Sequence, residues 1–158
     1  MDWAKKLEER LKNKELALKE NKKNFYVYQE AALKLFERIE KKVKTIEQIS
    51  IYRYMVGETS STPGQIKALK LKCFEKYLDF VPEGVNLDSS KGTIRLRHNS
   101  RTLAQFTYLH LVIDNQSESN YPDNLIWVLN EGSSESFENL PLFNDEALEK
   151  LIERVFLE

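Results

Sequence analysis

Between Trp3 and about Tyr54 the chain holds neither glycine nor proline, and its apolar residues recur at helical spacing. At about 100° per residue, Trp3, Leu7, Leu11, Leu18, Phe25, Ala32, Phe36, Ile39, Val43 and Ile46 fall in one stripe. Ala4, Leu11, Leu18, Phe25, Ala32, Ile39 and Ile46 repeat every seven residues. The remaining positions are mostly good helix formers, and Asp2 is placed to cap the first turn. The phase runs unbroken through Glu20–Asn24, which favours one long helix. A helical hairpin reversing there is the alternative, with Asn13, Asn21 and Asn24 as weak points because asparagine competes for backbone hydrogen bonds.

The stripe changes width. From residue 25 onward Tyr28, Leu35 and Ile49 join it, giving a face broad enough to pack on a sheet. Before residue 25 it is narrow, with Lys14 and Asn21 on the seam, like a weak coiled-coil edge. A helix of about 50 residues is about 75 Å long, far longer than a compact domain of about a hundred residues. It should overhang, leaving Trp3, Leu7, Leu11 and Leu18 in water unless a second chain covers them. That predicts self-association, as a homodimer, through these four residues.

The pattern then switches to period two. Gly57–Gly64 (GETSSTPG) reads as a linker. Ile66–Phe74, Tyr77–Val81, Thr93–Arg97, Thr102–Asp114 and Leu125–Leu129 read as strands. Asn86–Gly92 and Gln116–Asn124 are loops. A closing helix follows, capped by Asn144 or Asp145 and buried through Leu148, Leu151, Ile152, Val155 and Phe156. Runs of like elements predict an α+β fold. The expectation is a long N-terminal helix on an antiparallel sheet of four or five strands, closed by a C-terminal helix. Residues 1–56 form the helical segment and 57–158 the rest of one compact unit.

Composition adds a charge gradient. The 158 residues carry a net charge of −1. Residues 1–56 carry +5, residues 57–101 +3 and residues 102–158 −9. The basic front and acidic back can attract one another within a chain or between chains. One cysteine, Cys73, excludes an intrachain disulfide and a cysteine-based zinc site. The N-terminus has no apolar leader pattern, and no apolar run reaches the ~18 residues of a membrane helix. A cytoplasmic protein without membrane contact is expected.

The chemistry is sparse. The run Arg95-Leu-Arg-His-Asn-Ser-Arg101 puts Arg95, Arg97, His98 and Arg101 around a turn, a candidate contact for an anion or nucleic acid. In sequence no aromatic is interleaved with them. His110 shares a strand face with Tyr108 and with Asp114, which lies too far along for direct contact. No P-loop, dinucleotide, nucleophile-elbow or zinc-helix motif occurs, so no cofactor and no metal are expected. These features favour an interaction, adaptor or inhibitor module of the immunity-protein kind. It would have a protein partner, a basic one by the acidity of the last third. The alternatives are a nucleic-acid accessory protein using the Lys-rich helix with Arg95, Arg97 and Arg101, and an enzyme with a site around His110.

Overall fold

A computed structural model describes residues 2–56, 66–85 and 90–158. The expected linker at 57–64 therefore lies outside the described residues, as does part of the loop after Val85.

The N-terminal helix is single and unbroken. Helix α1 spans Trp3–Val43, which at 1.5 Å per residue is about 60 Å. Asp2 caps it by accepting from the Ala4 amide at 3.2 Å, and Lys41 and Lys42 complement the dipole in its last turn. The helix ends about ten residues before the stretch free of glycine and proline does. Lys44–Ile49 turns the chain, and Ser50–Met55 is strand β1. Ile49, Ile51, Tyr52 and Tyr54 bring in the β-branched and aromatic side chains that prefer a pleated surface. The sheet consequently has six strands rather than four or five.

The other strands are β2 (Lys67–Cys73), β3 (Lys76–Gly84), β4 (Gly92–His98), β5 (Thr107–Ile113) and β6 (Leu125–Glu131). They form an antiparallel meander in chain order, and helix α2 (Asp145–Phe156) closes the chain. Because β1 pairs along its whole length with β2, the sheet draws strands from both sides of the 56/57 boundary. The expected strand from Thr102 begins only at Thr107. Thr102–Phe106 is instead loop, pinned by buried Leu103.

One face of the sheet carries the core. Leu69, Leu71, Leu78, Phe80, Ile94, Leu96, Leu109 and Leu111 are buried there against α1 and α2. The second half of α1 supplies Phe25, Tyr28, Ala32, Leu35, Phe36, Ile39 and Val43, which are the residues of the broad stripe. Arg53 of β1 pairs with Glu40 at 2.5 Å and lies 5.4 Å from the centre of the Phe36 ring. Helix α2 buries Leu148, Leu151, Ile152 and Val155 and is tied to α1 by Arg38–Asp145 at 3.4 Å and Lys42–Glu149 at 2.5 Å. Part of the charge gradient is thus satisfied within the chain.

Candidate interaction surfaces

Among the described residues, no other element buries the first half of α1. Every residue from Trp3 to Lys23 is exposed, a projection of about 30 Å. Trp3 is 75 % exposed, Leu11 54 % and Leu18 59 %, and Leu7 is also exposed. The projection is held helical by its cap and by the pairs Glu8–Lys12 and Glu15–Lys19, each at 3.5 Å. All four residues expected to mediate self-association lie on this one arm.

The RLRHNSR run divides into two groups. The cross-strand register Asp79↔Arg97 and Val81↔Arg95 puts both arginines on the sheet face away from the helices. His98 and Arg101 belong elsewhere. The His98 Nε2–H donates to the Ala104 carbonyl at 2.9 Å, and Nδ1 accepts from the Ser100 amide at 3.1 Å. Both ring nitrogens are thereby used in shaping the β4–β5 loop. Asn99 reaches back to the β2–β3 turn, accepting from Tyr77 N at 3.0 Å and donating to the Glu75 carbonyl at 2.8 Å. The Arg101 amide donates to the Glu158 carboxylate. The second half of the run ties loops together through His98, Asn99 and the Arg101 backbone, while the exposed Arg101 side chain lies off the sheet face that carries Arg95 and Arg97.

His110 also lies on the outer face, opposite Thr93 and Val128. It is 3.3 Å from Thr93 Oγ1 and 3.5 Å from Asn130 Nδ2, between the rings of Tyr108 and Phe137. Burial holds its pKa below the ordinary imidazole value. The nearest acid in sequence, Asp114, lies beyond the end of β5 and accepts from the Gln116 amide, so among the described residues no carboxylate is bonded to the ring. Phe137, with Leu140, Val112 and Val128, forms a small second core that roofs this part of the outer face. Beside it runs a groove of about 520 Å³ lined by Lys91, Asn115, Glu135 and Glu138 among others. Among the described residues no group of three or more His, Cys, Asp or Glu is gathered to hold a metal. Cys73 is buried.

His110 has a consequence for stability. Its folded pKa lies below the unfolded value of about 6.5, so the unfolded chain takes up the proton first as pH falls. The contribution of His110 to stability is complete above about pH 6.5 and is lost as pH drops towards the folded pKa. His110→Phe should flatten the decline of melting temperature between about pH 7 and 5 relative to the parent. A decline of equal slope in both proteins would mean the imidazole titrates alike folded and unfolded.

The rest of the outer face was not foreseen from the sequence. Register aligns Tyr52, Lys70, Asp79 and Arg97 in one row across β1 to β4. Lys72 stands opposite Tyr77, and Arg95 opposite Tyr108. Tyr54 donates to Asp79 Oδ2 at 2.5 Å. Aromatic rings therefore are interleaved with Arg95 and Arg97, contributed by neighbouring strands. Asp79 is buried, with Oδ1 lacking a partner among the described residues. Burial pushes its carboxyl up, against the opposing effects of Tyr54, Arg97 and Lys70.

No family model matches the chain, nor does any curated protein or solved structure. No helix among the described residues is long and apolar enough to cross a membrane.

Proposed function

We propose that the protein is an interaction module that associates with a second copy of itself through the projecting half of α1. The observation that supports this is the exposed stripe of Trp3, Leu7, Leu11 and Leu18 on a helical arm that its own domain does not cover. Ala4, Leu11 and Leu18 follow a seven-residue repeat with Leu7 between them, and a stripe this narrow suits another helix better than a sheet. Lys14 and Asn21 interrupt it, which limits affinity and favours one register. Residues 3–24 hold eight Lys and Arg against four Glu, so two arms repel one another mildly. The acidity of the last third, which suggested a basic partner, is partly taken up by Arg38, Lys42 and Arg154 in the same chain.

Sedimentation equilibrium tests the reading. The protein should be a dimer at micromolar concentration, tightened by salt as the like charges are screened. Each Leu buried contributes about 1.5–3 kcal/mol and occurs twice in a two-fold interface. Leu11→Glu should therefore weaken the dimer by roughly 100-fold or more without changing the circular dichroism of the folded monomer. A monomer at all concentrations would refute the reading. Association that loosened with salt would refute pairing of the two arms and mean that the basic arm meets the acidic last third of a second copy.

A further inference from the structure

We propose that the open half of the outer sheet face, over β1 to β4, binds single-stranded nucleic acid, with bases stacked on tyrosine and phosphates held by lysine and arginine. This is a different surface from the α1 arm, and it stands whether or not the arm dimerises.

The argument begins with charge. Among the described residues in register on this face of β1 to β4, Lys70, Lys72, Arg95 and Arg97 stand with one carboxylate, Asp79, for a net of +3. Elsewhere on the body of the domain four cations are paired with carboxylates: Arg38 with Asp145, Lys42 with Glu149, Arg53 with Glu40 and Arg154 with Glu131. Among the described residues none of the four on the outer face makes an ion pair, and Arg95 Nε is buried without a hydrogen-bond partner. A chain of net charge −1 thus carries a surplus of positive charge on this sheet face, only partly offset by Asp79, where it raises the local concentration of an anion.

The aromatics determine which anion. Tyr52 is 50 % exposed and begins the row that ends in Arg97. Tyr77 lies beneath Lys70, whose Nζ is 5.0 Å from the ring centre. Tyr54 is fixed by its hydrogen bond to Asp79. An acidic peptide offers carboxylates but no flat rings in register. A single strand offers both phosphates and unstacked bases, and tyrosines on a sheet flanked by basic side chains are a recurrent platform for two or three bases. Duplexes do not fit, because their bases are stacked inward and a sheet face cannot enter a groove as an edge ribbon does. The second core around Phe137 roofs only the β5–β6 side, leaving Tyr108 at the border of the open area.

Fluorescence anisotropy of the full-length protein with labelled oligo-U and oligo-dT, beside the same sequences as duplexes, tests this. Single strands should bind and duplexes should bind more weakly. The slope of log affinity against log salt should lie between about −2 and −3, as expected for three to four phosphate contacts to a single strand. Tyr52→Ala should weaken binding about 5- to 150-fold, the loss of one stacked base, and Lys72→Glu should weaken it and flatten the salt slope. Both side chains sit on or near the edge strand at the surface, and circular dichroism checks that the variants fold. A triple change on the arm, Lys19→Glu, Lys22→Glu and Lys23→Glu, should leave binding intact. No binding would overturn the proposal. So would binding lost with the arm lysines but not with Tyr52, or polyglutamate that bound as well as the oligonucleotides.

Discussion

Gly92→Ala should lower the melting temperature by about 6–12 °C. A Cβ on residue 92 would stand 2.0 Å from Cδ1 of Tyr28, 2.5 Å from Cε1 and 2.8 Å from Cγ, so the ring has to move. It has nowhere to go. The Tyr28 hydroxyl donates to the Thr93 carbonyl at 2.8 Å and accepts from the Gly84 amide at 3.3 Å. Burial pushes the phenol pKa upward, so it keeps its proton. The ring is flanked by Phe25 and Trp127 at centroid distances of 6.5 and 6.4 Å. Displacing it gives up both hydrogen bonds inside the core and strains its neighbours, a cost of at least ~3 kcal/mol, and each kcal/mol is worth roughly 2–4 °C in a domain of this size. The substitutions are coupled. With Tyr28→Leu already present, Gly92→Ala should cost far less, and thermal unfolding of the four proteins of the cycle measures the difference. A loss below about 2 °C for Gly92→Ala alone would mean that the ring has room to swing aside.

Tyr28 and Gly92 also illustrate what a sequence can reveal. Tyr28 is legible as core from its place in the helical stripe, and so are Phe36 and Ile39, because a helix face depends only on local phase. Gly92 looks like the end of a loop. That a ring from α1 occupies the space of its missing side chain depends on tertiary packing, which no spacing rule encodes. The outer face was hidden for a similar reason. Arg95 and Arg97 were visible on one strand, but the tyrosines beside them come from β1, β3 and β5, and only strand register unites them. Two of these, Tyr52 and Tyr54, lay in a segment read as helix because it lacks glycine and proline. The available signal was the cluster of β-branched and aromatic residues Ile49, Ile51, Tyr52 and Tyr54. The single long helix, in contrast, was readable from the unbroken seven-residue phase. So was α2, from its acidic start at Asp145 and Glu146 and the spacing of Leu148, Leu151, Ile152 and Val155.

The two halves of α1 should respond to truncation in opposite ways. Phe36 is 1 % exposed, stacks at a tilt on Phe80 at 6.3 Å, and supports Arg53, which holds Glu40. Phe36→Ala removes a ring from the junction of helix and sheet and should cost about 3–5 kcal/mol, or roughly 6–20 °C, at every protein concentration. Leu18 lies on the same stripe, seven residues before Phe25, but it is exposed. In dilute monomer Leu18→Ala should change stability by no more than about 0.5 kcal/mol. If the arm dimerises, the parent gains stability with concentration by mass action, and Leu18→Ala should lose that increment while leaving the dilute value unchanged. Melting curves at low and high micromolar concentration separate the cases. A Phe36-like loss for Leu18→Ala in dilute solution would mean that the arm folds back onto its own domain. A melting temperature independent of concentration in the parent would leave the stripe without the second copy that its spacing suits. One continuous helix has two parts, a buried anchor from Phe25 to Val43 and an exposed arm from Trp3 to Lys23, divided where the stripe narrows and the neighbours of the seam become polar.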